Sequence, residues 1–155
     1  MKISLLQTDI RWKDPRANRR RAEELISDLP AADLIVLPEM FTTGFCTDPT
    51  ETAEPADSET LAWMRSVAGA RNAAVGGSVA TEADGRYYNR FYFVKPDGSN
   101  ATYDKRHLFS FAGETRAIPP VRNVSLWSIA GSASCCRCVT TCVFRFSPAT
   151  GAITT

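Results

Sequence analysis

The chain has 155 residues, 44% of them hydrophobic and 23% charged, the balance of one globular domain. With 18 Lys and Arg against 17 Asp and Glu, the net charge of +1 gives no electrostatic case for nucleic acid or an acidic membrane as partner. No apolar run approaches the roughly 20 residues of a membrane span. The opening MKISLLQTDIRW does not have the pattern of a signal peptide, so the cytoplasm is the expected location and the five cysteines are expected to be free thiols.

Ile3 to Ile10 reads as a strand. Asp14 followed by Pro15 is an N-cap with a first-turn proline, and Ala22, Leu25, Ile26 and Leu29 then recur at helical spacing until Pro30. Arg19-Arg20-Arg21 on this helix is followed by Glu23 and Glu24, which makes it a solvated face rather than a nucleic-acid patch. Asp33 to Leu37 is a nearly continuous apolar run stopped by Pro38, the pattern of a strand covered on both faces. Ser58 can cap a second helix carrying Leu61, Met64 and Val67. Ala73 to Ala80 is the next strand, and Gly76 and Gly77 inside it mark the close approach of another backbone or a ligand. Tyr88 to Val94 and Ala101 to Lys105 flank the turn Pro96-Asp97-Gly98-Ser99 and form a hairpin. The order β-α-β-α-β-β-β predicts a layered α/β fold without internal repeats.

From Thr115 the chain turns rich in Ser, Thr, Cys, Arg and Pro, and four of its five cysteines, Cys135, Cys136, Cys138 and Cys142, crowd there. Residues 1–114 and 115–155 are therefore read as two regions of different quality, the first an α/β domain. Residues 115–155 are expected to be an aberrant tail that does not pack into a native layer.

Polar residues at strand ends are where an α/β sheet meets a substrate. Glu39 follows Leu34-Ile35-Val36-Leu37-Pro38 directly, and Lys105 closes the second strand of the hairpin. Taken singly, each is equally an end-of-strand charge in solvent. Together with their neighbours they carry a resemblance. LPEMFTTGF at Leu37 to Phe45 and YDKRHLF at Tyr103 to Phe109 resemble the glutamate and lysine motifs of the nitrilase superfamily, the carbon–nitrogen hydrolases, and most closely its omega-amidase branch. The likeness extends from Met1 to about Glu114, through Gly76-Gly77-Ser78 and the stretch YYNRFYFV.

The resemblance implies a four-layer αββα sandwich, of which this chain supplies roughly the first half, and a Glu-Lys-Cys mechanism. Glu39 corresponds to the general base, Lys105 to the catalytic lysine and Glu114 to a supporting glutamate. A small amide is the implied substrate, with no metal or organic cofactor, and a homodimer is implied for the intact fold. The omega-amidase likeness points to small dicarboxylic monoamides, with nitrile and carbamoyl substrates as the superfamily's other choices.

The family's cysteine motif, close to CYDLRFP, is absent. In a frame displaced by one base, however, the codons of Val139 to Arg145 permit Cys-Tyr-Asp-Leu-Arg-Phe-Pro, and those of Ser132 to Cys138 permit an apolar run before it. A frame change near the Glu114/Thr115 boundary is the expectation that follows, with the nucleophile lost and this chain inactive. The competing readings are a non-catalytic remnant or binding protein, and a metal knuckle built from Cys136, Cys138, Cys142 and His107. The crowded cysteine spacing departs from the paired units of a structural zinc site.

Overall fold

The structure is a computed structural model that describes residues 1–108 and Ile118, together with the backbone of residues 125–129 and 132–136. Strands β1 (Ile3–Leu5), β2 (Leu34–Val36), β3 (Glu54–Pro55), β4 (Ala74–Ala83), β5 (Arg86–Val94) and β6 (Asn100–Asp104) form one mixed sheet. Its order is β1-β2-β4-β5-β6, with β3 added beside the far end of β4. The strands β1, β2 and β4 run parallel, and β4, β5 and β6 antiparallel. Helices α1 (Pro15–Ser27) and α2 (Glu59–Arg71) lie in the two parallel crossovers.

Both helices begin where the sequence places them. The Asp14 carboxylate accepts from Ala17 N–H at 3.0 Å, and Ser58 Oγ accepts from Leu61 N–H at 3.2 Å, each satisfying a first-turn donor. Asn72 ends α2 in the left-handed conformation, φ 46°, with its N–H returned to the last turn. Arg19 bridges the helices by donating to Thr60 Oγ1 at 2.9 Å and to Glu59 at 2.8 Å, so one member of the basic run is structural.

Sheet alternation divides the interior in two. Ile35, Val75, Val79, Tyr92 and Val94 face the helices and bury Ala22, Ile26, Leu61, Met64, Val67 and Ala68. Leu34, Ala74, Phe91, Phe93 and Tyr103 form a second apolar cluster on the opposite face. Toward β1 that face opens to solvent, with Leu5 75% exposed. A mixed sheet with helices packed on one face is the layered α/β arrangement that the order of elements predicts.

The structure departs from expectation at four places. Strand β1 stops at Leu5 instead of Ile10, because β2 ends before Pro38 and offers only Val36 O to Leu6 N–H, at 2.9 Å. The strand β3 and the 3-10 turn Pro49–Glu51 before it are too short to leave a periodic signal. Strands β4 and β5 run to Ala83 and from Arg86, joined through Asp84 and Gly85 at φ 52° and 69°, the tight-hairpin chemistry of an Asp-Gly pair. The close approach at Gly76 and Gly77 comes from side chains. A Cβ on Gly76 would stand 2.8 Å from the Phe91 ring, and one on Gly77 2.9 Å from Leu37 Cβ.

Of the stretch from Thr115 onward, Ile118 is buried against Met40 and Ala80, so at this position the chain does pack. Strands β7 (Ser125–Ile129) and β8 (Ser132–Cys136) pair antiparallel with each other. The expected boundary at Glu114/Thr115 lies outside the described residues. Among the described residues no helix is long and apolar enough to cross a membrane.

Between β2 and β3 the chain crosses over β4. Leu37 N–H bonds to Gly76 O at 2.7 Å, Met40 N–H to Ser78 Oγ at 2.9 Å and Phe41 N–H to Ser78 O at 3.3 Å. Phe41 then packs toward the helices, while Met40 turns into a third cluster with Ala80 and Ile118. At Met40 the chain takes the left-handed backbone conformation, φ 47°, which is uncommon for a residue other than glycine.

Two substitutions test this crossing. Gly77→Ala should cost about 1–3 kcal/mol through the Leu37 contact. Ser78→Ala should cost about 1–3 kcal/mol by leaving the buried Met40 N–H without its acceptor. Both are read as a lower urea midpoint at unchanged slope.

Candidate active site

Two of the polar residues that the sequence singles out, Glu39 and Lys105, meet past the C-terminal ends of β2 and β6. Glu39 lies three residues past β2, and Lys105 directly follows β6. Lys105 Nζ stands 2.8 Å from Glu39 Oε1. The lysine side chain is 1% exposed and the glutamate 28%. The solvated-charge reading fails for Lys105, since an ammonium so enclosed requires a paired anion.

Between these two strand ends β5 supplies a third member. Asn89 is wholly buried, pairs in register with Ala80 and donates from Nδ2 to Glu39 Oε1 at 2.8 Å. Its backbone carbonyl also accepts from Lys105 N–H at 2.9 Å. Phe45, from the same segment as Glu39, places its ring 4.9 Å from Lys105 Nζ, which adds a cation–π contact. Met40, the residue after Glu39, is buried in an apolar cluster with Ala80 and Ile118, against which Phe45, Ala53, Tyr87 and Leu108 pack.

The end of β6 is anchored one residue earlier. Arg90 and Asp104 are cross-strand partners, joined by two hydrogen bonds of 2.6 and 2.9 Å. The Asp104 carboxylate beside it raises the Arg90 guanidinium above its ordinary value, against the opposing effect of burial. This bidentate pair fixes the strand from which Lys105 departs.

The structure thus brings Glu39 and Lys105 together, while Glu114 lies outside the described residues. Sequence reasoning did not assign Asn89 or Phe45 a role. A signal for Asn89 was present: period-2 alternation puts Asn89, Phe91 and Phe93 on one face, and an amide on an apolar face must be hydrogen-bonded. Phe45 sits in the glutamate motif, but nothing in the sequence tells a ring under an ammonium from a ring in a core. Among the described residues no cluster of His, Cys, Asp and Glu could hold a metal ion. The proposed knuckle of Cys136, Cys138 and Cys142 falls outside the described side chains. Cys46 is buried, with its thiol donating to Asp48 O.

A buried ammonium paired with a partly open carboxylate can move a proton and can stabilise an oxyanion at one place. An omega-amidase, YafV, of Yersinia enterocolitica is 45% identical over 114 residues, which is 74% of this chain and 44% of that protein. A 2-oxoglutaramate amidase of Bacillus subtilis is 34% identical over 116 residues, 72% of this chain and 45% of its own. The chain therefore spans less than half the length of these curated relatives. Among solved structures, XC1258 of Xanthomonas campestris, a CN-hydrolase superfamily protein with an arsenic adduct in its active site, superposes with a TM-score of 0.84. It is 37% identical, over 87% of this chain and 51% of that one. The model of the carbon-nitrogen hydrolase family matches residues 2–141, and with the paired Glu39 and Lys105 this establishes that the chain belongs to the carbon-nitrogen hydrolase family.

Proposed function

We propose that the chain carries the proton-transfer and oxyanion half of an amidase for small ω-amides, amide and water giving carboxylic acid and ammonia, and that its present reading frame lacks the nucleophilic cysteine. The observation that carries this reading is the 2.8 Å contact between Glu39 and a Lys105 that is 1% exposed. The curated relatives named as an omega-amidase and a 2-oxoglutaramate amidase support the substrate class.

The geometry suits the chemistry. Glu39 takes the proton of a cysteine thiol, and the thiolate attacks the amide carbonyl. As charge builds on the carbonyl oxygen, the Lys105 ammonium stabilises it, and its enclosure keeps that interaction from being screened by water. Glu39 returns the proton to the departing nitrogen, ammonia leaves, and a water activated by the same carboxylate hydrolyses the thioester. Glu114 is assigned a supporting part next to the lysine, on the strength of its motif alone. A reducing cytoplasm, which keeps such a thiol free, is the proposed location, and a homodimer is the proposed assembly of the intact protein.

A second reading is favoured by one observation. The family match runs to residue 141, past Cys135, Cys136 and Cys138, so one of these cysteines could stand in as the nucleophile. The two readings part on activity. The unaltered chain is expected to release no ammonia from small dicarboxylic monoamides, and Cys138→Ala is expected to change nothing. Activity lost on Cys138→Ala would establish the second reading instead.

Correcting the coding frame by one base at the Glu114/Thr115 boundary is expected to restore ammonia release. In that protein Glu39→Gln should lower kcat by about 10²–10⁴-fold and Lys105→Met by about 10²–10³-fold. A corrected protein that folds and stays inactive would refute the proposal.

A further inference from the structure

We infer that Asn89 is a positioning residue that commits the Glu39 carboxylate to one of its two oxygens, so that Oε2 is the atom that takes and returns the proton. The inference rests on the amidase reading for its purpose but on geometry for its content. Asn89 Nδ2 and Lys105 Nζ both meet Glu39 Oε1, each at 2.8 Å. Among the described residues none donates to Oε2.

A carboxylate oxygen has two lone pairs in its plane, and two donors occupy those of Oε1. A proton arriving there would have to displace one of them, whereas Oε2 accepts it without rearrangement. The S–H or water O–H bond breaks, an O–H bond forms on Oε2, and the same bond later breaks toward the leaving nitrogen.

Lys105 cannot impose this choice alone. Its ammonium is a compact point charge that can meet either oxygen, and the terminal torsion of a glutamate is broad and roughly two-fold, so the two oxygens could exchange beside it. Asn89 removes that freedom. Its planar amide is held by a strand paired on both edges, by β4 through Ala80 and by β6 through Lys105 N–H. Because Glu39 offers only acceptors, the NH2 group is the end of the amide that faces it. One residue therefore places the lysine through its backbone and the carboxylate through its side chain.

The test is infrared difference spectroscopy on the full chain labelled with 13C glutamate, the Glu39 bands being isolated by subtracting the spectrum of Glu39→Gln. In the ionised state, both donors on one oxygen should widen the gap between antisymmetric and symmetric carboxylate stretches relative to free glutamate. On acidification, protonation at Oε2 leaves a C=O at Oε1 that accepts two hydrogen bonds, so its stretch should lie below that of an unbonded carboxylic acid. Asn89→Leu, which keeps the volume and removes the donor, should narrow the gap and raise the C=O frequency at unchanged far-UV circular dichroism. A gap equal to that of free glutamate, an unbonded C=O, or bands that ignore a folded Asn89→Leu would each overturn the inference. Should that variant unfold, the two bands of the unaltered chain decide alone. The readout is independent of ammonia release, so a failed amidase reading and a failed oxygen assignment are told apart.

Discussion

The enclosed ammonium of Lys105 is the constraint around which the rest is arranged. A lysine that is 1% exposed is tolerable only beside an anion, and Glu39 is the anion at 2.8 Å. Removing one partner of such a pair costs on the order of 3–5 kcal/mol, because the survivor stays buried and uncompensated. The sheet answers this demand. The strand β2 ends level with Ala101, three residues short of the end of β6, and Glu39 lies three residues past β2; β5 carries Asn89 one residue beyond the partner of Asp104, and the Arg90–Asp104 pair fixes the last step before the lysine. A pair held in this way is poor evidence of extra stability but strong evidence of a site, since apolar residues would fill the same space at less cost.

Much of this was legible in the residues. Both helices could be read from cap and apolar stripe, the first also from its prolines, because those signals are local, and the structure places their N-caps at Asp14 and Ser58 as expected. The strands were legible in existence and less so in extent. A strand's length is set by its neighbour, and Leu6 to Ile10 find no partner beyond Val36, a fact absent from their own composition. The two glycines of β4 announced a close approach without saying whose. Phe91, Leu37 and Phe41 fill those places, and only the fold brings them there.

The site was legible as two charges at two strand ends, 66 residues apart in the chain. Their meeting could be expected from motif likeness but not from spacing. The third member, Asn89, stayed hidden for a different reason. An amide on the apolar face of β5 calls for a hydrogen bond, but nothing in the strand names its partner. Met40 is the instructive counterpart: a buried methionine with φ 47° has no sequence signal at all, yet it is the residue next to the carboxylate. Met40 enters one hydrophobic cluster and Phe41 another, which ties the segment that bears Glu39 to both.

The excursion from β2 to β3 begins and ends beside the same strand, β4. The strand β2 lies against Ala74 to Gly76 and β3 against Thr81 and Glu82, so both feet of the segment that bears Glu39 and Phe45 stand on one rigid rod. Its closure entropy is met by pairing with β4, within the first 83 residues, and grows only slowly with the length of the excursion. This arch can therefore lengthen or shorten between its footings without moving them, which makes it the natural place for relatives of this protein to reshape the mouth of the site while the carboxylate keeps its bearing.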